Sequence, residues 1–195
     1  LVDLVVGADG YDAGAIDNGA VFVYLGVEGA FFEDTPSTML PGLYGYDHLG
    51  FSITMCDFDG DGHQDLAVSA VYGEDRDVED IVNSQGAVHI YLGSEDGLSQ
   101  EPTDSIYGKA PNAEGEWVSV GDLRMGEQVA SGYVDDDDLC DLVVAGFRWK
   151  AVAGSSNDGL VAIYRGNAAS DDGPGGVEDL PSRVIGETDQ TNKTS

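Results

Sequence analysis

The chain has 195 residues, 42% of them hydrophobic, and carries 37 Asp+Glu against 8 Lys+Arg for a formal charge of −29. That length and apolar fraction suit one domain with a buried core and exclude a disordered acidic tail. The charge repels nucleic acid and anionic membranes, and no basic patch offsets it, so cationic partners are the default.

From the N-terminus, Asp3-Leu4-Val5-Val6-Gly7-Ala8 reads as a short strand. Gly19-Ala20-Val21-Phe22-Val23-Tyr24-Leu25-Gly26 is a second, bounded by glycines. Val21, Val23 and Leu25 alternate with Phe22 and Tyr24, so one face can enter a core between sheets while the aromatic face packs on a neighbour. Thr38-Met39-Leu40 forms a third strand before Gly42. Leu49-Gly50-Phe51-Ser52 then opens a fourth, which continues through Ile53-Thr54-Met55.

The next nine residues, Asp57-Phe58-Asp59-Gly60-Asp61-Gly62-His63-Gln64-Asp65, place carboxylates at loop positions one, three, five and nine. Hard divalent cations take six to eight oxygen ligands, and the odd-numbered side chains of a tightly curled loop converge on its inside. The carbonyl of His63, at position seven, also points inward, and Gly60 and Gly62 permit the curl because they lack a Cβ that would forbid positive φ. Four carboxylates about 5 Å apart repel in six pairs, each by about 3 kcal/mol at an effective dielectric near 20. Such a loop calls for a cation, and calcium is the expected one, held by Asp57, Asp59, Asp61, the His63 carbonyl and Asp65. An EF-hand would need Glu at position twelve and flanking helices. Position twelve is Val68, and the flanks are short β-branched runs, so the loop joins two strands, the second beginning at Asp65.

Residues 49–70 align without a gap on residues 125–146. Gly50 meets Gly126, Asp59 meets Asp135, Asp61 meets Asp137, Asp65 meets Asp141, and Leu66-Ala67-Val68 meets Leu142-Val143-Val144. The glycine-bounded strand recurs as Gly86-Ala87-Val88-His89-Ile90-Tyr91-Leu92-Gly93 and as Gly159-Leu160-Val161-Ala162-Ile163-Tyr164-Arg165-Gly166. The short strand recurs as Ser105-Ile106-Tyr107 before Gly108 and as Arg183-Val184-Ile185 before Gly186. Four short strands in each unit of about 65 to 75 residues is the pattern of a propeller blade, with no helix expected. The connections 9–18, 73–85 and 148–158 join the same two strands in successive units and should emerge on one face, where repeat arrays usually bind.

The strand opening at Leu49-Gly50-Phe51-Ser52, the loop DFDGDGHQD and the strands DLAVSA and GAVHIYLG together resemble the FG-GAP repeat of integrin α-subunit heads and their bacterial relatives. The resemblance covers nearly the whole chain. It implies an all-β fold of four-stranded antiparallel β-propeller blades, about two and three-quarter of them here, with 1–48 a partial blade, 49–124 a second and 125–195 a third. It also implies structural calcium in the loop between a blade's first two strands, and an extracellular or cell-surface role in adhesion or interaction. The alternative is a carbohydrate-binding module or the non-catalytic part of a secreted hydrolase or lyase.

Departures from the family pattern concern the third unit most. Tyr133 stands at loop position one, and Asp136 and Asp138 replace the two glycines. Asp135, Asp137 and Asp141 remain, with Leu139 offering the carbonyl, so that loop is expected to bind calcium weakly or not at all. Proline is absent from the Gly-Ala-Pro ending throughout, where Gly7-Ala8-Asp9, Ser69-Ala70-Val71 and Ala145-Gly146-Phe147 stand instead.

Closed propellers typically need four to eight blades, so this chain cannot close a ring alone. Neighbouring blades are expected from a longer parent chain or from other copies. Cys56 and Cys140 are too few for a disulfide framework and fall at different repeat positions, so free thiols are expected, a bridge being the alternative. No basic leader and no apolar run of about 18 residues is visible, and no membrane insertion is expected.

Catalysis finds little support. His63 lies in the calcium loop, His89 within an alternating strand where packing is its expected role, and His48 in a loop; no nucleophile-elbow pattern occurs. The chain is not expected to be an enzyme. Trp117, Trp149, Phe147, Tyr11, Tyr44, Tyr46 and Tyr72 lie in or beside connecting loops. Of these, Phe147 and Trp149 are the expected ligand contacts, for a protein or carbohydrate, because they directly follow the second strand of their blade.

Overall fold

The computed structural model describes residues 1–76, 81–148, 159–169 and 175–185. Among these residues there are strands and turns but no helix. Three strands open the chain, β1 (Leu4–Ala8), β2 (Ala20–Tyr24) and β3 (Thr38–Pro41), and pair in that order as an antiparallel sheet. Next come β4 (Leu49–Cys56), β5 (Asp65–Ala70), β6 (Ala87–Tyr91) and β7 (Asp104–Tyr107), a four-stranded antiparallel sheet in chain order. A hairpin of β8 (Lys109–Pro111) and β9 (Trp117–Ser119) follows. The last large sheet comprises β10 (Gln128–Gly132), β11 (Asp141–Gly146), β12 (Leu160–Tyr164) and β15 (Arg183–Ile185), with the pair β13 (Gly166–Asn167) and β14 (Gly176–Val177) lying between β12 and β15 in sequence. These meandering four-stranded sheets are propeller blades.

Blades with matching sequence are buried differently because they have different numbers of neighbours. The middle blade is covered on both faces, so every residue of β5 and β6 is buried. In the last blade, β11 and β12 keep the alternation of buried and half-buried positions that a sheet covered on one face shows. One core cluster, with Val21, Leu40, Leu49, Leu66, Val68 and Tyr91, lies between the first and middle blades. A larger one, including Phe58, Val88, Met125, Leu142, Val144 and Tyr164, lies between the middle and last.

The first strands of the two complete blades meet through side chains. Val129 N–H donates to Ser52 Oγ at 3.0 Å. The Ser131 hydroxyl donates to the Met55 carbonyl at 3.1 Å and lies 2.7 Å from that of Thr54. Beside this seam Cys56 and Cys140 form a disulfide across 84 residues, which corrects the expectation of free thiols. Different repeat positions do not argue against pairing when the partners sit on adjacent blades. One blade presents its front face to the back face of the next, so residues that meet there come from non-equivalent positions.

The hairpin β8–β9 has no counterpart in the repeat. Trp117, expected in a loop, is half-buried in β9 and packs against the larger core cluster. His89 is buried in β6, as its alternating strand implied, with Nδ1 2.7 Å from Ser105 Oγ. Burial in an apolar surrounding lowers its pKa to about 4.

Candidate metal centre

The loop 57–65 joins β4 to β5, as the flanking strands required. Phe58, at position two, is fully buried in the core between blades and anchors the loop from beneath. Asp57, at position one, accepts hydrogen bonds from Gly60 N–H at 2.7 Å and Gly62 N–H at 3.0 Å. Those amides reach back because both glycines take positive φ, +76° and +91°. Asp59 Oδ1 accepts from Asp61 N–H at 3.1 Å, and Asp61 Oδ1 from His63 N–H at 2.8 Å. The curl brings Asp57, Asp59 and Asp61 together, each offering an oxygen within 4.8 Å of the others.

Asp65 does a different job in this geometry. It is fully buried; Oδ2 accepts from Phe58 N–H at 2.7 Å and Oδ1 from Gly93 N–H at 2.8 Å, so it latches the loop to the end of β6. Desolvation raises the pKa values of Asp65 and Asp59, and the neighbouring carboxylates push the same way. An all-oxygen set of converging carboxylates on a glycine-curled loop fits a hard divalent cation such as calcium. Asp57, Asp59 and Asp61 would hold it, with the His63 carbonyl at position seven and Asp65 closing the loop behind.

The loop 133–141 keeps half of this design. Asp135 accepts from Asp137 N–H at 3.0 Å, Asp137 from Leu139 N–H at 3.0 Å, and Asp141 from Val134 N–H at 2.8 Å and Gly166 N–H at 3.3 Å. These four bonds reproduce those of Asp59, Asp61 and Asp65. The pair made by Asp57 has no equivalent, since Tyr133 has no carboxylate to offer, and Asp136 and Asp138 do not take the positive φ of Gly60 and Gly62. Asp135, Asp137 and Asp141 converge within 4.8 Å, while Val134, in the place of buried Phe58, is 51% exposed.

The last blade presses on the first loop. Asn167 N–H donates to the Phe58 carbonyl at 3.2 Å, and Cys140 N–H to that of Asp57 at 3.3 Å. A Cβ on Gly60 would stand 2.7 Å from Leu139 Cδ2. This contact between loops of adjacent blades was not readable from either loop alone.

Of the aromatic candidates, several are engaged within the chain. Arg76 lies over the Tyr44 ring at 4.2 Å, Arg124 over Tyr72 at 4.6 Å, and Tyr11 meets Phe22 edge-on at 5.2 Å. Tyr46 is 60% exposed and Phe147 is 64% exposed. Phe147 lines a largely apolar cavity of about 520 Å³ with Ala145, Gly159, Leu160 and Val161 on the open face of the last blade. By the repeat these four residues are equivalent to Ser69, Gly86, Ala87 and Val88, which receive Met125-Gly126 on the middle blade: a Cβ on Gly126 would stand 2.7 Å from Ser69 Cβ and 3.4 Å from Val88 Cγ2. Trp149, the other expected ligand contact, lies outside the described residues.

Sheet order, loop placement and the strand-bounding glycines together define an FG-GAP type of β-propeller segment. Residues 49–91 match the family model described as the FG-GAP repeat. The chain is similar to mouse integrin alpha-IIb, 31% identical over 169 residues, covering 84% of this chain and 14% of that protein. It is also similar to integrin alpha-5 of Xenopus laevis, 32% identical over 115 residues, or 56% of this chain and 10% of that protein. A shorter match, 34% identical over 73 residues, covers 37% of this chain and 9% of mouse phosphatidylinositol-glycan-specific phospholipase D. This is an FG-GAP repeat chain of the integrin-α-like kind, and it spans a small fraction of the length of these relatives. Among its described residues no helix is long and apolar enough to cross a membrane.

Proposed function

We propose that this chain is a calcium-binding adhesion or interaction module that works outside the cell or at its surface, with calcium as a structural ion and a protein as ligand. The observation that carries the reading is the convergence of Asp57, Asp59 and Asp61 on a loop wedged between two blades. An ion there offsets half the charge of the loop's four carboxylates and fixes the turn between β4 and β5, and through Phe58 it steadies the core between blades. A disulfide suits an oxidising compartment, which supports the extracellular placement. No catalytic role is proposed.

Calcium at a hundred times its dissociation constant stabilises the fold by about 2.7 kcal/mol. For a chain of this size that raises the melting temperature by about 7 °C. The test is a calcium titration with thermal melting of the wild type and of Asp59→Ala/Asp61→Ala, with magnesium as control. A calcium-specific rise abolished in the double variant supports the reading, and no rise in the wild type refutes it.

The partners include further blades, from a longer parent chain or from other copies. The apolar cavity beside Phe147 supports this, because its walls match the seat that Met125-Gly126 fills one blade earlier. The second reading, a carbohydrate-binding module or non-catalytic part of a secreted hydrolase or lyase, draws support from the match to a phospholipase D. Selective binding on a sugar array favours it, and a blank array favours protein adhesion.

A further inference from the structure

The two acidic loops share four backbone hydrogen bonds and differ in what faces their carboxylates. In the last blade Arg165 Nε lies 2.8 Å from Asp135 Oδ2. Arg165 leaves β12 just before Gly166, whose N–H donates to Asp141. The equivalent residue before Gly93 is Leu92, and before Gly26 it is Leu25. Arg183 pairs with Ile163 across β12 and β15, whereas Asp104 pairs with the equivalent Ile90 across β6 and β7. Asp135, Asp141, Arg165 and Arg183 line one cavity of about 410 Å³. A leucine and an aspartate of the middle blade are thus both arginines in the last, beside the loop that has lost its first carboxylate and both glycines.

The geometry points to Arg165, with Arg183 beside it, as a built-in cation that takes the place of the metal, so that the charge of Asp135 and Asp141 is offset from within the chain and the loop 133–141 takes no calcium. This rests on reading the loop 57–65 as the calcium centre, whose design the second loop inherits. Asp135 has committed Oδ1 to Asp137 N–H and Oδ2 to the guanidinium. A divalent ion would have to displace the guanidinium or sit against it, like charge against like charge. The guanidinium belongs to the chain itself, so this closure does not depend on calcium concentration. The consequence is asymmetric: the middle blade's loop answers to calcium, while the last blade's loop stays formed without it.

The test compares Asp59→Ala/Asp61→Ala, which removes two of the first loop's ligands, with the same protein carrying Arg165→Leu, by calorimetric titration with calcium and with magnesium as control. Leucine is the residue of the other two blades at this half-exposed position, and circular dichroism melting confirms folding. Arg165→Leu is expected to create a calcium site at least about tenfold tighter than any residual binding in its parent. Arg165→Lys, which keeps the charge, is expected to leave the loop metal-free. The inference is overturned if the parent binds as tightly as the leucine variant, if the leucine variant gains nothing, or if the lysine variant gains as much. Should the triple variant fail to fold, Arg165→Leu alone decides, since the calcium count per chain must rise by one over the wild type. A wild type that takes no calcium at 57–65 sinks the calcium reading of the first loop, and the comparison at Arg165 still stands or falls by itself.

Discussion

Replacing Cys56 and Cys140 with serine, or reducing the bridge, removes the disulfide cross-link between the middle and last blades. The bridge closes a loop of 84 residues, for which chain entropy gives a stabilisation of about 4.5 kcal/mol. Unfolding a chain of 195 residues releases entropy of about 0.4 kcal/mol per kelvin, so the melting temperature should fall by about 11 °C. Cys56 directly precedes Asp57, and Cys140 N–H donates to the Asp57 carbonyl, so the reduced protein should also bind calcium severalfold more weakly. The assay is thermal melting with and without reductant, with thiol titration to establish that both cysteines are free, and calcium titration of both forms. A melting temperature within about 2 °C of the oxidised protein, with both thiols free, would refute the account of the bridge as the clasp between blades.

Three further substitutions probe a blade junction, the acidic loop and the core. Gly86 has φ +81°, and a Cβ there would collide with the backbone N and O of Met125, so Gly86→Ala should cost at least about 3 kcal/mol in urea unfolding. Gly62, at φ +91° with nothing within 4 Å of the same point, should cost only the backbone strain of about 1 to 2 kcal/mol when changed to alanine. Equal losses at the two sites would refute the close approach of blades at Gly86. His89 is held neutral by burial, its pKa lowered from 6.5 to about 4. Its contribution is complete above pH 6.5 and is lost as pH falls through about 4, a change of about 3 kcal/mol. In His89→Asn the stability slope between those limits should flatten, and an unchanged slope would show that other groups carry the acid limb.

Strand boundaries were largely legible in the sequence because each is punctuated by glycine, and period-two alternation in Val21, Val23 and Leu25 or in Val88, Ile90 and Leu92 is a local property. The loop 57–65 was legible for the same reason: nine contiguous residues hold its carboxylates and the glycines that curl it. The hairpin β8–β9 was not, since it has no repeat partner and its turn is rich in breakers.

The sequence by itself determined the blade, its strand order and the chemistry of the first acidic loop, because all of these follow from residues near one another in the chain. Only the tertiary structure decided what meets across blades. It paired Cys56 with Cys140, set Gly86 against Met125 and pressed Leu139 on Gly60. Each of these joins positions that the repeat does not equate. A blade's front packs on its neighbour's back, and the register of that contact is fixed by the twist and docking of whole sheets rather than by any local pattern.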